Sequence, residues 1–210
     1  MRHFVYFSSS ATTSGNALSK YSSGGDLMKA GRMDIAIHSF IQGVFLSHAL
    51  RENVVFHFVF YGMPDPPKHI SIQVKTNKGV PETGQEAGSI DISKKDVGTL
   101  IKKILYKYKQ GDKKEVFSGC FVEKKSLFKV IEELIENGNE IFILDKKGED
   151  IRKTKISENC TFLLGDHDGL PKKELNRLKK YCKSISIGPL MYFASQTVAV
   201  VNNELDRRGV

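Results

Sequence analysis

The chain has 210 residues, 40% of them hydrophobic and 27% charged, which is enough apolar surface for a full core and is the composition of a globular protein, not of a disordered or membrane chain. No apolar run approaches the roughly eighteen residues needed to span a bilayer, and the start MRHFVYFSSS reads as a buried strand, so a cytoplasmic protein without a membrane segment is expected. A net charge of +8 and a pI near 9.3 favour a polyanionic partner, while Cys120, Cys160 and Cys182, which form no C-x-x-C pair, read as reduced core thiols and not as a zinc site.

Residues 3–8, HFVYFS, have the composition of a short strand. The small-residue stretch that follows, as far as Asp34, has few large apolar side chains and reads as a long, mostly exposed loop; its segment SSGGDLMKAG lacks the strand-to-helix spacing that aims N–H groups at a pyrophosphate. From Asp34 the positions Ile37, Phe40, Ile41, Val44, Phe45 and His48 follow helical spacing through Leu50. VVFHFVFYG (54–62) is the near-continuous apolar run of a strand buried on both faces of a parallel sheet, and MPDPP ends it. HISIQVKT alternates like an edge strand, VPETGQEAGSIDIS is a loop, and KDVGTLIKKILYKY is a helix with a lysine-rich outer face.

After a linker, KQGDKKEVFSG, the segment SLFKVIEELIENG sets Leu127, Phe128, Ile131, Leu134 and Ile135 on one helical stripe, with Gly138 suited to the position after the helix end. EIFILD is a strand and KKGEDI a turn. Then come the strand TFLLG, the helix KKELNRLKKYCK, the strand SISIG and a closing helix from about Met191 to Arg207. This βαβα order predicts a single α/β domain over 1–210, with a mainly parallel sheet, helices on both faces, and a ligand outside the carboxyl ends of the strands, where Gly165 and Gly188 lie.

Neither G-x-G-x-x-G nor G-x-x-x-x-G-K-[ST] occurs, which argues against dinucleotide and P-loop chemistry. Counted from Asp166 as a calcium loop, DHDGLPKKELNR fails: position 6 is Pro171 where glycine is needed, and position 12 is Arg177 where a glutamate is needed. One histidine between two acids does not make a transition-metal site, so no metal is expected. Locally the motif reads as a strand exit before a helix, with Asp168 as cap and Pro171 in the first turn. Because SISIGPLMY ends a second strand about one helix later, a pocket between two adjacent loops is the better reading. Lysine clusters at 102–125 and 172–183 (the latter including Lys179 and Lys180) point to RNA or DNA more than to solvated helix faces. In the last helix Ala194, Val198, Val201 and Leu205 form a stripe that Ala199 and Val200 widen, which suits burial on two sides, as in a dimer interface, with a core helix of a monomer as the alternative.

Four ordered segments, MRHFVYFSSSATTSGN, AGRMDI, LLGDHDGLP and SIGPLMYFASQTVAVVNNELDRR, resemble the archaeal tRNA pseudouridine-54 N1-methyltransferase family (TrmY) of the SPOUT superfamily, and the resemblance spans nearly the whole chain. It implies a C-terminal deep trefoil knot, with knot and cofactor site within about residues 135–210, S-adenosylmethionine as cofactor, tRNA as partner and a homodimer. Carried onto this sequence, the cofactor loops are Gly165, Asp166 and His167 with Gly188, Pro189, Leu190 and Met191; Leu134 and Cys182 are further wall residues. The implied reaction removes the N1 proton of pseudouridine, for which Asp168 or Asp34 is the candidate base and Arg32 the candidate phosphate or anion contact, with Tyr21, Tyr192 and Phe193 as possible stacking residues. A ribosomal RNA pseudouridine N1-methyltransferase and a non-enzymatic RNA-binding or assembly protein are the alternatives.

Overall fold

A computed structural model describes residues 1–22, 27–74, 93–111 and 113–210, with side chains of 20–22 left aside. In chain order the elements are β1 (Arg2–Ser8), α1 (Gly15–Ser22), a 3-10 turn (Leu27–Ala30), α2 (Met33–Val44), β2 (Val54–Phe60), β3 (Lys68–Gln73), α3 (Lys94–Lys107), β4 (Lys114–Phe117), β5 (Cys120–Glu123), α4 (Leu127–Glu136), β6 (Glu140–Asp150), β7 (Cys160–Gly165), α5 (Lys172–Leu178), β8 (Lys183–Ser186) and α6 (Ala194–Arg208). The strands form one eight-stranded sheet in the order β4-β5-β3-β2-β1-β7-β6-β8. From β2 to β8 neighbours run parallel, and β3, β5 and β4 add on antiparallel.

The apolar runs of β1 and β2 follow from burial on both faces. Phe4, Tyr6, Phe56 and Phe58 join Ile37 and Phe40 of α2 and Val198 of α6 in the larger core, whereas Val5, Phe7 and Val59 join Leu127, Val130 and Leu134 of α4 in a second core on the other face. Helices thus cover both faces, as the βαβα pattern predicts. Local signals set their ends: the Ser93 hydroxyl accepts from the Asp96 N–H while the Asp96 carboxylate accepts from the Ser93 N–H, Ser126 caps α4, and Gly138 follows α4 at φ 80°. In α6, Asn202 is buried and donates to the Gln42 and Gly43 carbonyls at the end of α2 while accepting from Arg2.

Several expectations are corrected. The presumed loop before Asp34 contains α1, which buries Leu18 and meets α3 through Gly15, where a Cβ would lie 2.7 Å from the Tyr106 ring. Helix α2 stops at Val44, because Phe45 turns extended and bridges Leu50, leaving His48 exposed. Strand β3 is internal, since β5 covers its outer edge, and the presumed linker before α4 holds the β4–β5 hairpin. Strand β6 runs through the presumed KKGEDI turn, with a register shift between Leu144 and Glu149. The expected loop VPETGQEAGSIDIS lies outside the described residues except for its last position, and Tyr21 has no described side chain. Among the described residues no helix is long and apolar enough to cross a membrane.

Candidate active site

Because β2, β1, β7, β6 and β8 are parallel, the loops after Phe60, Ser8, Gly165 and Ser186 leave the same edge of the sheet. Asp166 joins two of them. Its carboxylate is fully buried and accepts from the Ser8 hydroxyl at 2.6 Å, the Ser9 N–H at 3.2 Å and the Asp168 N–H at 2.9 Å; its carbonyl accepts from the Gly169 N–H. Gly165 is required by packing, since a Cβ there would lie 2.5 Å from the Gly169 backbone. Asp166 is therefore the residue that holds the loop.

Asp168 is free for other work. Its side chain is 62% exposed, and among the described residues its carboxylate meets only His167, at 3.6 Å. It does not cap α5, whose N-terminal neighbour is Pro171 with no side-chain cap, which corrects the local reading of the motif. Asp166, His167 and Asp168 could each bring a ligand atom within 4.8 Å of the others, yet both Asp166 oxygens are already taken by O–H and N–H donors.

The AGRMD segment closes on the same edge. Gly31, at φ 73°, packs so closely that a Cβ would overlap the Ser10 carbonyl, and Arg32 takes a left-handed conformation at φ 58°, the only non-glycine with positive φ among the described residues. Arg32 donates through Nε and Nη2 to the two Asp34 oxygens, each at 3.1 Å, and this fork favours the charged guanidinium. Burial, followed by the charges of Asp166 and Asp34, pushes the Tyr6 hydroxyl well above its ordinary range, so both carboxylates act electrostatically on it.

The third loop begins at Ser186, whose hydroxyl donates to the Gly188 carbonyl and accepts from the Gly188 N–H. Gly188 has φ 153°, a conformation glycine takes without strain, and the Tyr192 ring lies 3.5 Å from where a Cβ would stand. Beyond it Leu190, Met191 and Phe193 are 67%, 78% and 76% exposed. A glycine-lined edge with adjacent apolar side chains and one open carboxylate suits a cofactor with a planar base and a cationic centre.

Leu134 and Cys182 do not join these loops. Leu134 lies in the last turn of α4, just before the amino end of β6, and Cys182 immediately precedes the amino end of β8; both pack in the second core, where burial raises the Cys182 thiol to about 11. Two features of the edge escaped sequence reading. One is Ser8, for which the hydroxyl run SSSATTS after a strand was the available signal. The other is Gly148, where a Cβ would lie 2.4 Å from the Ile185 nitrogen, so that β6 rides directly on the backbone of β8; a glycine just past an apolar strand was its signal.

Comparison with known proteins decides the family. Residues 1–210 match the family described as "Putative SAM-dependent RNA methyltransferase". The chain belongs to this family of RNA methyltransferases. S-adenosylmethionine is the cofactor of the family, in line with the glycine-lined edge. Among relatives, the chain is 33% identical over the full length of both proteins to the Alcanivorax borkumensis protein named "Putative pseudouridine methyltransferase". It is 31% identical to the tRNA (pseudouridine(54)-N(1))-methyltransferase of Methanococcoides burtonii, covering 99% of this chain and 96% of that one. The solved structure of Archaeoglobus fulgidus Nep1 bound to S-adenosylhomocysteine superposes with a TM-score of 0.59 at 13% identity, covering 100% of this chain and 99% of that one, and so shares the fold.

Proposed function

We propose that the protein transfers the methyl group of S-adenosylmethionine to N1 of pseudouridine-54 in the T loop of tRNA. The observation that carries this reading is similarity over 99–100% of this chain and 96–98% of its relatives to methyltransferases named for that specificity. S-adenosylmethionine supplies an electrophilic sulfonium methyl. The residues that would hold it are those of the β7 and β8 loops, with the Gly188 backbone approaching closely and Leu190 and Met191 as apolar contacts.

The N1 nitrogen carries a proton that must leave as the methyl arrives. Asp168 is the base in this reading: its backbone is held by Asp166 and its carboxylate is open to solvent. Asp34 is occupied by Arg32, and so serves to aim the guanidinium. Arg32 still has Nη1 donors to offer to a ring oxygen on which negative charge collects. Tyr192 and Phe193, both exposed, are placed to stack on a splayed base.

The reading includes a single methyltransferase domain knotted near its C-terminus. Gly148 lying on the Ile185 backbone, Ile151 donating to the Ser186 carbonyl, and Arg208 donating to the Ile151 and Thr154 carbonyls support it. It also includes a homodimer, since exposed Leu190, Met191 and Phe193 beside the site suit cover by a second copy.

The test is incubation with S-adenosylmethionine and a T-arm RNA carrying pseudouridine or uridine at position 54. One added methyl on the pseudouridine RNA alone is expected; transfer to neither would sink the proposal, and preference for a ribosomal hairpin in competition would move it to ribosomal RNA. Gly188→Val should lose cofactor binding by calorimetry, because valine cannot take that backbone conformation without strain.

A further inference from the structure

On one sheet face polar side chains form a row that crosses β1, β2, β3 and β5 diagonally, from His3 at the amino end of β1 to His69 and Glu123, which lie level with Phe7. Nδ1 of His3 lies 2.9 Å from Nε2 of His57, Nδ1 of His57 lies 2.9 Å from Nε2 of His69, and Nδ1 of His69 lies 2.9 Å from the Glu123 carboxylate. Successive rings are nearly coplanar, at 21° and 10°. Lys125 pairs with Glu123 at 2.8 Å and with Glu133 at 2.7 Å, which keeps Glu123 ionised and therefore an acceptor only.

That carboxylate fixes every proton in the row. His69 donates Nδ1–H to Glu123, so its Nε2 accepts from Nδ1–H of His57, and His57 in turn accepts from Nδ1–H of His3. Nε2 of His3 is left with a lone pair, and no group among the described residues bonds to it. Burial holds His57 and His69 below the ordinary histidine range and His3 at about 4, so the row is neutral at pH 7. Hydrogen bonds in series polarise one another, which strengthens the terminal acceptor.

The row lines a cavity of about 230 Å³. Ser71, whose hydroxyl makes no hydrogen bond among the described residues, and the amides of Gln73 and Asn137 line it as well. Lys113 stands over the Phe121 ring, 4.7 Å from its centre, in the same lining. We propose that this cavity takes an unpaired nucleobase of RNA, with an N–H of the base donated to Nε2 of His3, the two amides on its remaining polar edge and the Lys113 ammonium on its phosphate. Amides and an aromatic edge are the chemistry that reads single-stranded bases. This rests on the RNA reading above, but the acceptor end of the row is separate from the cofactor loops: His3 and Ser8 are about 17 Å apart along β1 at the usual strand rise.

The test measures anisotropy of a labelled cytidine RNA hexamer and of an abasic ribose-phosphate strand of equal length, for the wild type and for a Gln73→Ala/Asn137→Ala variant. The wild type should prefer the cytidine strand by about tenfold, which lies within the range measured for one base contact. The variant should lose the preference while keeping its salt-dependent affinity for both strands and its affinity for S-adenosylmethionine. Nitrogen NMR should find all three rings protonated at Nδ1 and Nε2 of His3 shifted by the hexamer. Competition by cytidine monophosphate as effective as the strand supports the cavity and assigns it to free nucleotides. No base preference in the wild type, a preference unchanged in the variant, or a proton on Nε2 of His3 overturns the proposal. Loss of methyl transfer with the preference intact counts against the methylation reading alone.

Discussion

Replacing Asp166 with alanine removes the acceptor of three hydrogen bonds at once, from the Ser8 hydroxyl, the Ser9 N–H and the Asp168 N–H, at a side chain with no solvent exposure. Bonds to a charged group are worth roughly 1.5–3 kcal/mol each and are less than additive in one network, so the loss should be about 3–5 kcal/mol. For a chain of this size that corresponds to a fall in Tm of about 6–20 °C. Asp166→Asn keeps the volume and one acceptor oxygen but turns an amide N–H toward a donor, and should recover about half of the loss. Asp168→Ala removes a solvent-facing carboxylate and should leave Tm within about 1–2 °C. It should nevertheless slow methyl transfer by about a hundredfold or more, as expected for a positioned base. Thermal unfolding by circular dichroism and single-turnover transfer to the T-arm RNA read the two effects separately. An unmoved Tm in Asp166→Ala, or an Asp168→Ala variant destabilised as much as Asp166→Ala, would refute the division of labour between the two aspartates.

The histidine row predicts an acid sensitivity with a definite sign. The folded rings stay neutral while unfolded ones bind protons below 6.5, so stability is full above that pH and falls as pH drops toward 4, by up to about 1.4 kcal/mol per pH unit for each ring. Lys113 and Lys125 press in the same direction, and Glu123 opposes at His69. Burial raises the Glu123 carboxyl, but hydrogen bonds from His69 and Lys125 outweigh it and bring the carboxyl to about 2, so its contribution is lost only as pH falls from 4.5 toward 2. Urea midpoints that stay level from pH 6.5 to 5 would contradict the neutral row. Asn202→Ala strands the Gln42 and Gly43 carbonyls and one Arg2 donor in a buried site and should cost about 2–4 kcal/mol; an unchanged thermal midpoint would show that α6 does not hold α2 in this way.

What the sequence revealed depended on whether the deciding contact was local. β1, β2, β7 and β8 end in serine, glycine or proline-rich exits after apolar runs, so the loops at the carboxyl edge, with Gly165, Asp166, Asp168 and Gly188, were placed by strand direction alone. Leu134 and Cys182, which the resemblance and not strand direction singled out, follow the complementary rule: α4 and α5 run back toward the amino ends of β6 and β8, and both residues pack in the second core near those ends. Helix α1 and the β4–β5 hairpin carry too few large apolar residues to show a period; α3 packs against α1 through Gly15, and β3 supplies a ladder for β5.

The histidine row is the extreme case, since its members are 54, 12 and 54 residues apart and only strand register sets them in line. Within VVFHFVF, His57 looks like an interruption of a core strand, and His69 reads as the polar start of the next one. Burying three imidazoles singly would cost each its hydrogen bonds to water, whereas in series each ring supplies the partner the next one lacks. The series needs an end that only accepts, and Glu123, pinned by Lys125, provides it. The protonation of His3 is thereby set by a carboxylate it does not touch, and the other end of the row must leave one nitrogen unprotonated, which is why the cavity beside it has an acceptor to offer.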